Sequence, residues 1–288
     1  MQTINDRCPA RRIALDSDVQ SDYILGNSDN EHERLIRQAA RLAPTTERFF
    51  REAGIGPGQR VLDVGSGVGD VAMLVAKIVG PTGEVVAVER DARTINRAQT
   101  RAAEVGMRNI TFVRTDIDDF SSDSVFDAAV GRYILQFLPD PVATLRLLSK
   151  TVRPGGIIAF QEGSWKPFIA LSDHLPLRAA TVSFLHESAV RGGVNTEMGP
   201  ALHKVFQDAG LPIPKMRLEM ELGYEPEYTR WLSDAIRSKF PTIEKQNLGL
   251  EKLGDLDTLQ ERLQEEVESS NTVVPWIALV EASCRTLP

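Results

Sequence analysis

The sequence predicts an α/β fold: a doubly wound, mostly parallel sheet of about seven strands with helices on both faces. The first observation is that short apolar strands alternate with amphipathic helices between residues 57 and 162. The second is a glycine-rich turn between the first of these strands and its helix, and the third is a pair of strand-like segments near the C-terminus. Strands that alternate with helices form parallel sheets, whose ligands bind at the carboxyl ends of the strands.

The strands are read from short apolar runs. Five of them form the core, at residues 60–65, 84–89, 110–116, 126–131 and 156–162. Two later runs, 215–222 and 273–282, are separated by helical sequence over 227–269. Because two late strands joined through helices can pair with each other, they predict one antiparallel edge strand on the sheet.

The remaining segments surround this core. Residues 1–20 are polar and read as an N-terminal arm. Ser28 and Glu31 form a capping box for a helix over about 29–43, and a second helix over 45–53 follows Pro44. The predicted organisation is therefore an arm, N-terminal helices that close the ligand site, a ligand-binding core, a helical lid after the fifth strand, and C-terminal elements that complete the sheet, at residues 1–20, 21–56, 57–162, 163–212 and 213–288.

The composition and net charge of the chain exclude some classes of binding partner. The chain has 288 residues, 42% of them apolar, with a net charge of -7. An acidic chain without basic clusters is a poor binder of polyanions, so we expect no nucleic-acid partner and no membrane partner. Two cysteines, no metal-ligand pairs, and neither a signal peptide nor a spanning segment in the sequence predict a cytoplasmic protein without a metal. A homodimer is compatible with these features.

The most specific motif is VLDVGSGVGD, which contains Asp63, Gly65, Gly67 and Gly69. Glycines allow a tight turn and close approach of a ligand, and the N-terminus of the next helix favours an anionic group. A dinucleotide fingerprint requires glycine where Asp70 stands, so the spacing disfavours NAD. Glu89 ends the second strand, where an acid accepts ribose hydroxyls in both NAD and S-adenosylmethionine (SAM) sites.

With this glycine turn, Glu89 after the second strand and Asp116-Ile117 after the third, the chain resembles the class I SAM-dependent methyltransferases, which have a Rossmann-like sheet. The resemblance covers residues 20–162. It implies SAM as cofactor, with the glycine turn at the methionine moiety, the second-strand acid at the ribose and Asp116 at the adenine amino group. The implied cofactor residues in the core are Asp63, Gly65, Ser66, Gly67, Gly69, Glu89, Arg90, Asp116, Ile117, Gly131 and Arg132.

The stretch YILGNSDNEHERLIRQA resembles the N-terminal helices that fold over the cofactor in small-molecule members of this family. Tyr23, Arg34 and Gln38 are the candidates there. A buried methionine carboxylate needs a charged or hydrogen-bonding partner, and Arg34 or Tyr23 would supply one.

Methyl transfer from SAM is an in-line displacement, so the enzyme must first position the acceptor and exclude water. His186, in the predicted lid, is the candidate general base; the alternative interpretation is a half-exposed helix residue, as for the other three histidines. Four residues are candidates for the acceptor pocket, namely Tyr133, Glu162, Trp165 and Phe184, although aromatic residues at such spacing are more often core.

The class of acceptor follows from a missing motif. Family members that methylate amino groups of DNA and of some proteins carry D/N-P-P-Y/F after the fourth strand, where this chain has Gly131-Arg132-Tyr133-Ile134. The absence of this motif, together with the net negative charge of the chain, predicts a small organic methyl acceptor. Two alternatives stay open: a non-catalytic SAM-binding regulator or accessory protein of the same fold, and an NAD-linked oxidoreductase.

Overall fold

The computed structural model describes residues 29–122 and 124–287, and a sheet of seven strands runs through its centre. The predicted arm and Tyr23 lie outside the described residues. The strands of the sheet are β1 (Arg60–Val64), β2 (Glu84–Glu89), β3 (Ile110–Arg114), β4 (Phe126–Arg132), β5 (Val152–Ser164), β6 (Lys215–Glu219) and β9 (Ala278–Arg285). Two short strands, β7 (Leu222–Gly223) and β8 (Val274–Pro275), pair with each other outside it.

The predicted topology is confirmed. The strand order is β3-β2-β1-β4-β5-β9-β6, and the first five of these strands pair in parallel. β9 pairs antiparallel with β5 on one side and with β6 on the other, which makes the antiparallel edge. The order reverses at β1, so the crevice above β1 and β4 is where a parallel sheet binds its ligand.

Helices cover both faces of this sheet. They are α1 (Asp29–Ala53), α2 (Asp70–Val79), α3 (Ala92–Glu104), α4 (Pro141–Thr151), α5 (Trp165–Ala170), α6 (Pro176–Arg191), α7 (Met198–Asp208), α8 (Pro226–Lys245) and α9 (Leu259–Ser269), with short 3-10 helices at Ile117–Asp119, Leu135–Phe137 and Leu250–Leu253. Within the described residues, no helix combines the length and the apolar character that crossing a bilayer needs.

Successive residues of β1 point to opposite faces of the sheet, as the pleat of a strand requires. Val61 packs with Phe50 and Val75 on the face covered by α1 and α2. Leu62 packs with residues of α4 and α7 on the other face. The sheet therefore has two cores, and both strand faces are apolar because both are covered.

The predicted break of the first helix at Pro44 is wrong, because Pro44 lies inside the continuous helix α1. An interior proline removes one backbone hydrogen bond and costs about 3 kcal/mol. Downstream of it, Phe49 and Phe50 are buried in the core beside α2. Burying two aromatic side chains contributes about 3–6 kcal/mol, which outweighs the proline.

The two late strands are shorter than predicted. The run 215–222 is wrong as one strand, since β6 ends at Glu219 and β7 pairs with β8 instead. The run 273–282 likewise divides into β8 and β9, with Trp276 and Ile277 between them. The Trp276 ring between these two strands is buried and packs against Tyr228, at 5.8 Å between ring centroids.

The helices above the carboxyl edge of the sheet form a cap, which we define as α5, α6, α8 and α9. Their apolar side chains share one buried cluster with Trp276. α7 does not belong to it, because Met198, Leu202 and Phe206 pack on the sheet beside α4. Two stretches of chain, one before β6 and one after it, therefore build the cap together.

Candidate functional site

The glycine turn follows β1 and leads into α2. Gly65, Gly67 and Gly69 have φ angles of 66°, 53° and 86°, in the left-handed region that favours glycine. A Cβ on Gly65 would lie 2.4 Å from Ile134 Cδ1, so a side chain does not fit there. A Cβ on Gly67 would meet no heavy atom of a described residue within 4 Å, which leaves that backbone open to a ligand on this side.

Hydrogen bonds tie the turn to the end of β2. The Ser66 amide donates to Val88 O (2.9 Å), and the Gly67 amide donates to Glu89 Oε2 (3.0 Å). Glu89 Oε1 accepts from the Asp91 amide (2.9 Å). Burial raises the pKa of Glu89, and the Asp91 and Gly67 amides oppose that rise. The Glu89 carboxylate therefore holds the shape of the turn and faces the crevice beside it.

The acid after β3 begins a 3-10 helix. Asp116 Oδ1 accepts from the Asp118 amide (3.3 Å), and Asp116 Oδ2 lies 3.9 Å from Arg90 Nη1. Ile117 is buried beside it. Glu89, Arg90, Asp116 and Ile117 thus lie along one side of the same crevice.

A buried group of charges lies under the turn. Burial raises the pKa of Asp63 to about 7, although Arg132 opposes the rise, and Asp63 Oδ2 has no hydrogen-bond partner among the described residues. Burial also lowers the pKa of Arg132, whose Nη1 donates to Thr46 Oγ1 (3.0 Å). Asp70 pairs with Arg101 at 2.7 Å. Arg132 therefore supplies positive charge near the carboxylates of buried Asp63 and half-buried Asp70.

One cavity of about 300 Å³ joins the glycine turn to the cap. Its cofactor half is lined by the turn, by the ends of β2 to β4 and by α1. Its other half, the chamber, lies beneath the cap. The chamber is lined by Tyr133, Gln136, Trp165, Leu185, Ala189, Val194, Trp231, Ala235, Lys239, Trp276 and Ile277.

Two predicted residues on α1 line the cavity but are already paired. Arg34 donates to both carboxylate oxygens of Glu31, at 2.7 and 2.5 Å. Gln38 Oε1 accepts from Arg34 Nη1 (2.7 Å) and from Trp231 Nε1 (3.0 Å). Gln38 therefore joins the N-terminal helix to the cap, and the Arg34 charge is balanced by Glu31.

Tyr133 and Glu162 lie where β4 and β5 reach the chamber. Tyr133 has a φ of 56°, rare for a side chain of this size, and its Oη is buried without a hydrogen-bond partner among the described residues. Glu162 Oε1 accepts from the Ile134 and Leu135 amides (2.9 and 2.8 Å). Burial raises the pKa of Glu162 to about 8, so the carboxyl is mostly protonated at neutral pH.

His186 does not line the cavity. Its Nε2 lies 3.1 Å from Thr196 Oγ1, and its ring is 5.6 Å from the Trp165 ring, measured between centroids. Phe184 is buried among the apolar residues of the cap. Of the predicted lid residues, Trp165 is the one that reaches the chamber.

The structure brings most predicted site residues to one cavity. The predicted residues that line it are Arg34, Gln38, Gly65, Ser66, Gly67, Glu89, Arg90, Asp116, Ile117, Arg132, Tyr133 and Trp165. Those that lie behind its wall are Asp63, Gly69, Gly131, Glu162, Phe184 and His186. Gly131 is packed, since a Cβ there would lie 2.6 Å from the Phe160 ring. Tyr23 lies outside the described residues.

The C-terminal wall of the chamber, formed by α8 and the segment before β9, was not predicted from the sequence. Trp231, Ala235 and Lys239 line it from α8, and Trp276 and Ile277 from the segment before β9. The spacing of four residues between Trp231, Ala235 and Lys239 was a usable signal, because residues four apart share a helix face. Among residues 29–122 and 124–287, no group of three or more His, Cys, Asp or Glu side chains could hold a metal ion.

The raised pKa of Glu162 predicts how stability depends on pH. A carboxyl whose pKa rises on folding contributes stability that is full below its unfolded value of 4.5 and is lost as pH rises to about 8. In Glu162→Gln, the amide oxygen keeps both backbone bonds and cannot ionise. Between about pH 5 and pH 9, we expect the free energy of unfolding, measured in urea, to fall for wild type and to fall less for Glu162→Gln. The two decreases should differ by at least about 1 kcal/mol.

The control is Glu104→Gln, an exposed change at the end of α3. This variant should follow the wild-type pH profile. Parallel profiles for wild type and Glu162→Gln would show that Glu162 does not lose a buried proton in this range.

Comparison with known proteins identifies the family. The family described as "Methyltransferase domain" matches residues 55–210, more than half of the chain. The ubiquinone/menaquinone biosynthesis C-methyltransferase UbiE of Coxiella burnetii is 33% identical over 124 residues, 42% of this chain and 47% of that protein. The chain thus matches about half the length of this curated relative.

Solved structures share the fold. The BH2331 protein of Bacillus halodurans C-125 matches with a TM-score of 0.55 and 14% identity, covering 84% of this chain and 98% of that one. The phospholethanolamine N-methyltransferase 2 of Haemonchus contortus, solved with S-adenosylhomocysteine (SAH), matches with a TM-score of 0.50 and 15% identity, covering 83% and 51%. Together with the glycine turn and the acids at the strand ends, the family match shows that this chain belongs to the methyltransferase domain family of class I SAM-dependent methyltransferases.

Proposed function

We propose that the protein transfers a methyl group from SAM to an O, N, S or C nucleophile of a small organic molecule and releases SAH. The observation that carries this proposal is the single cavity that joins the glycine turn and the strand-end acids to the chamber beneath the cap. A methyl transfer needs such an arrangement, because the donor and the acceptor must meet in line and away from water.

The cofactor half fits an adenosyl ligand. The open backbone at Gly67 and the unpartnered Ser66 Oγ accommodate the methionine end, at the N-terminus of α2. Glu89 uses one lone pair of each oxygen for the turn, and a carboxylate has lone pairs to spare for the ribose hydroxyls. Asp116 is the acceptor for the adenine amino group, and Ile117 packs beside the ring.

The methionine end of SAM carries an ammonium group and a carboxylate, and Asp63 and Arg132 under the turn have the opposite charges. Asp63 Oδ2, behind the cavity wall and without a hydrogen-bond partner among the described residues, is the acidic group we propose for the ammonium. We propose Arg132 for the carboxylate ahead of Arg34, because Arg132 lines the cavity and donates its hydrogen bond to the neutral Thr46 hydroxyl, while Arg34 is paired with Glu31.

SAM supplies an electrophilic methyl group on a sulfonium centre. The chain's own residues place the acceptor and keep water out: the Trp165, Trp231 and Trp276 rings wall the chamber, and Tyr133 Oη is a free polar group beside them. We propose Tyr133 as the residue that contacts the acceptor. His186 reaches the chamber only through the Trp165 ring, so we propose it as a positioning residue.

The chamber also distinguishes an enzyme from a SAM-binding regulator. A regulator needs only the cofactor half, whereas this cavity continues into a space walled by residues from five parts of the chain. The relatives support the same choice, since the UbiE protein is named a C-methyltransferase and the Haemonchus contortus protein an N-methyltransferase. The whole cavity, of about 300 Å³, has the size of sites that bind small molecules.

Calorimetric titration with SAM, SAH and NAD tests the proposal. We expect micromolar binding of the two adenosyl ligands and no binding of NAD. A screen of phenols, amines, thiols and carboxylates with methyl-labelled SAM should then show label transfer. NAD binding without SAH binding would contradict the proposed cofactor, and SAH binding with no transfer to any acceptor class would favour the regulator.

A further inference from the structure

The chamber differs from the rest of the cavity in charge. Every acidic side chain that lines the cavity belongs to the cofactor half: Asp70, Glu89, Asp116 and Asp118. The chamber is lined by aromatic and aliphatic side chains, with Tyr133, Gln136 and Lys239 as its polar residues. Lys239 is therefore the only charged residue among the described residues that line the chamber.

Lys239 reaches the chamber from the same face of α8 as Trp231 and Ala235. No hydrogen bond or ion pair to a described residue holds its ammonium group. Burial lowers its pKa to about 8, helped by the nearby Arg34 charge and opposed by Glu31. At neutral pH most of the Lys239 population still carries its charge.

The neighbouring charges do not neutralise Lys239. Both Glu31 oxygens bind Arg34, at 2.7 and 2.5 Å, and this close pair leaves the Lys239 ammonium without a carboxylate within 4.0 Å among the described residues. A partly buried cation beside a cavity gains stability from an anion that enters it. The charge thus favours an anionic ligand at this end of the chamber.

A cationic ligand fits less well. Tryptophan faces attract cations, but Arg41 already lies 4.9 Å from the Trp276 ring centroid, and no carboxylate of a described residue lines the chamber to balance a second cation. Trp231 and Trp276, with ring centroids 5.3 Å apart, instead offer broad apolar surfaces that suit a flat molecule.

We propose that the chamber binds a methyl acceptor with a planar, apolar body and an anionic group, and that Lys239 pairs with that group. This assignment rests on the proposed methyltransferase function. Within it, Lys239 determines specificity, because it distinguishes an acidic acceptor from a neutral one of the same shape.

The test uses 2-naphthoate and its neutral counterpart 2-naphthamide as probes, titrated into the full chain saturated with SAH. We expect wild type to bind 2-naphthoate about tenfold more tightly than 2-naphthamide. Lys239→Met should bring this ratio close to one, and Lys239→Arg should restore it. The matched control is Lys245→Met, which removes an exposed lysine from the last turn of the same helix and should keep the wild-type ratio.

The outcomes separate the two proposals. Failure of wild type to bind SAH would contradict the proposed function. Normal SAH binding with an unchanged probe ratio in Lys239→Met, or with neither probe bound, would overturn the acceptor assignment alone. A loss of SAH affinity in Lys239→Met would place Lys239 in the cofactor half and would also overturn it.

Discussion

Replacing Gly67 by valine is expected to lower the affinity for SAH at least about 100-fold while the protein stays folded. Gly67 lines the cofactor half, and a Cβ there would meet no atom of a described residue within 4 Å, so a side chain would occupy ligand space. The positive φ of 53° adds backbone strain of about 1–2 kcal/mol. Calorimetry with SAH measures the affinity, and urea unfolding measures the strain.

Gly106→Val is the matched control for that variant. Gly106 has a similar φ of 71°, an added Cβ there also meets no atom within 4 Å, and it lies outside the cavity lining. We expect it to lose similar stability and to bind SAH like wild type. If both variants bind SAH normally, the glycine turn is not the cofactor site.

Glu89→Gln should weaken SAH binding by about 30-fold or more. The two Glu89 oxygens accept separately from the Gly67 and Asp91 amides, at 3.0 and 2.9 Å. Glutamine has a single acceptor oxygen, so its NH₂ group would face one of these N–H donors. The variant therefore loses both the shape of the turn and the charged acceptor for the ribose hydroxyls.

Glu84→Gln controls for the loss of charge on the same strand. Glu84 begins β2, at the opposite end from Glu89, and is 44% exposed where it pairs with Arg60. Surface pairs of this kind contribute little, so we expect unchanged SAH affinity and nearly unchanged stability. Equal SAH affinity for wild type and Glu89→Gln would remove Glu89 from the ribose site.

The local sequence pattern was sufficient to predict which residues line the cofactor half of the cavity. The glycine turn, Glu89 and Asp116 each follow a strand directly, and the carboxyl ends of parallel strands share one edge. Their meeting in space therefore follows from strand order alone. Gly131 obeys the same rule and still lies behind the wall, because its neighbours Phe160 and Ile134 fill the space in front of it.

The chamber could not be predicted in this way. Trp231 and Lys239 lie on α8 and Trp276 lies between β8 and β9, all far along the chain from the glycine turn. His186 and Phe184 are residue types that often line pockets. The face of α6 that meets the cavity, however, carries Leu185 and Ala189 instead. Which face of a cap helix meets the cavity depends on how the cap helices pack.

The alternating strands and helices, the turn and the acids of the cofactor half follow from short-range spacing and from the geometry of parallel strands, so local sequence was enough to predict them. Three features depend on tertiary packing: the continuous helix through Pro44, the pairing of Arg34 with Glu31, and Lys239 without a charged partner among the described residues in a chamber lined by three tryptophans. Those features arise from burial and from contacts between segments far apart in the sequence. Such contacts exist only in the folded chain, where the cap helices pack above the sheet.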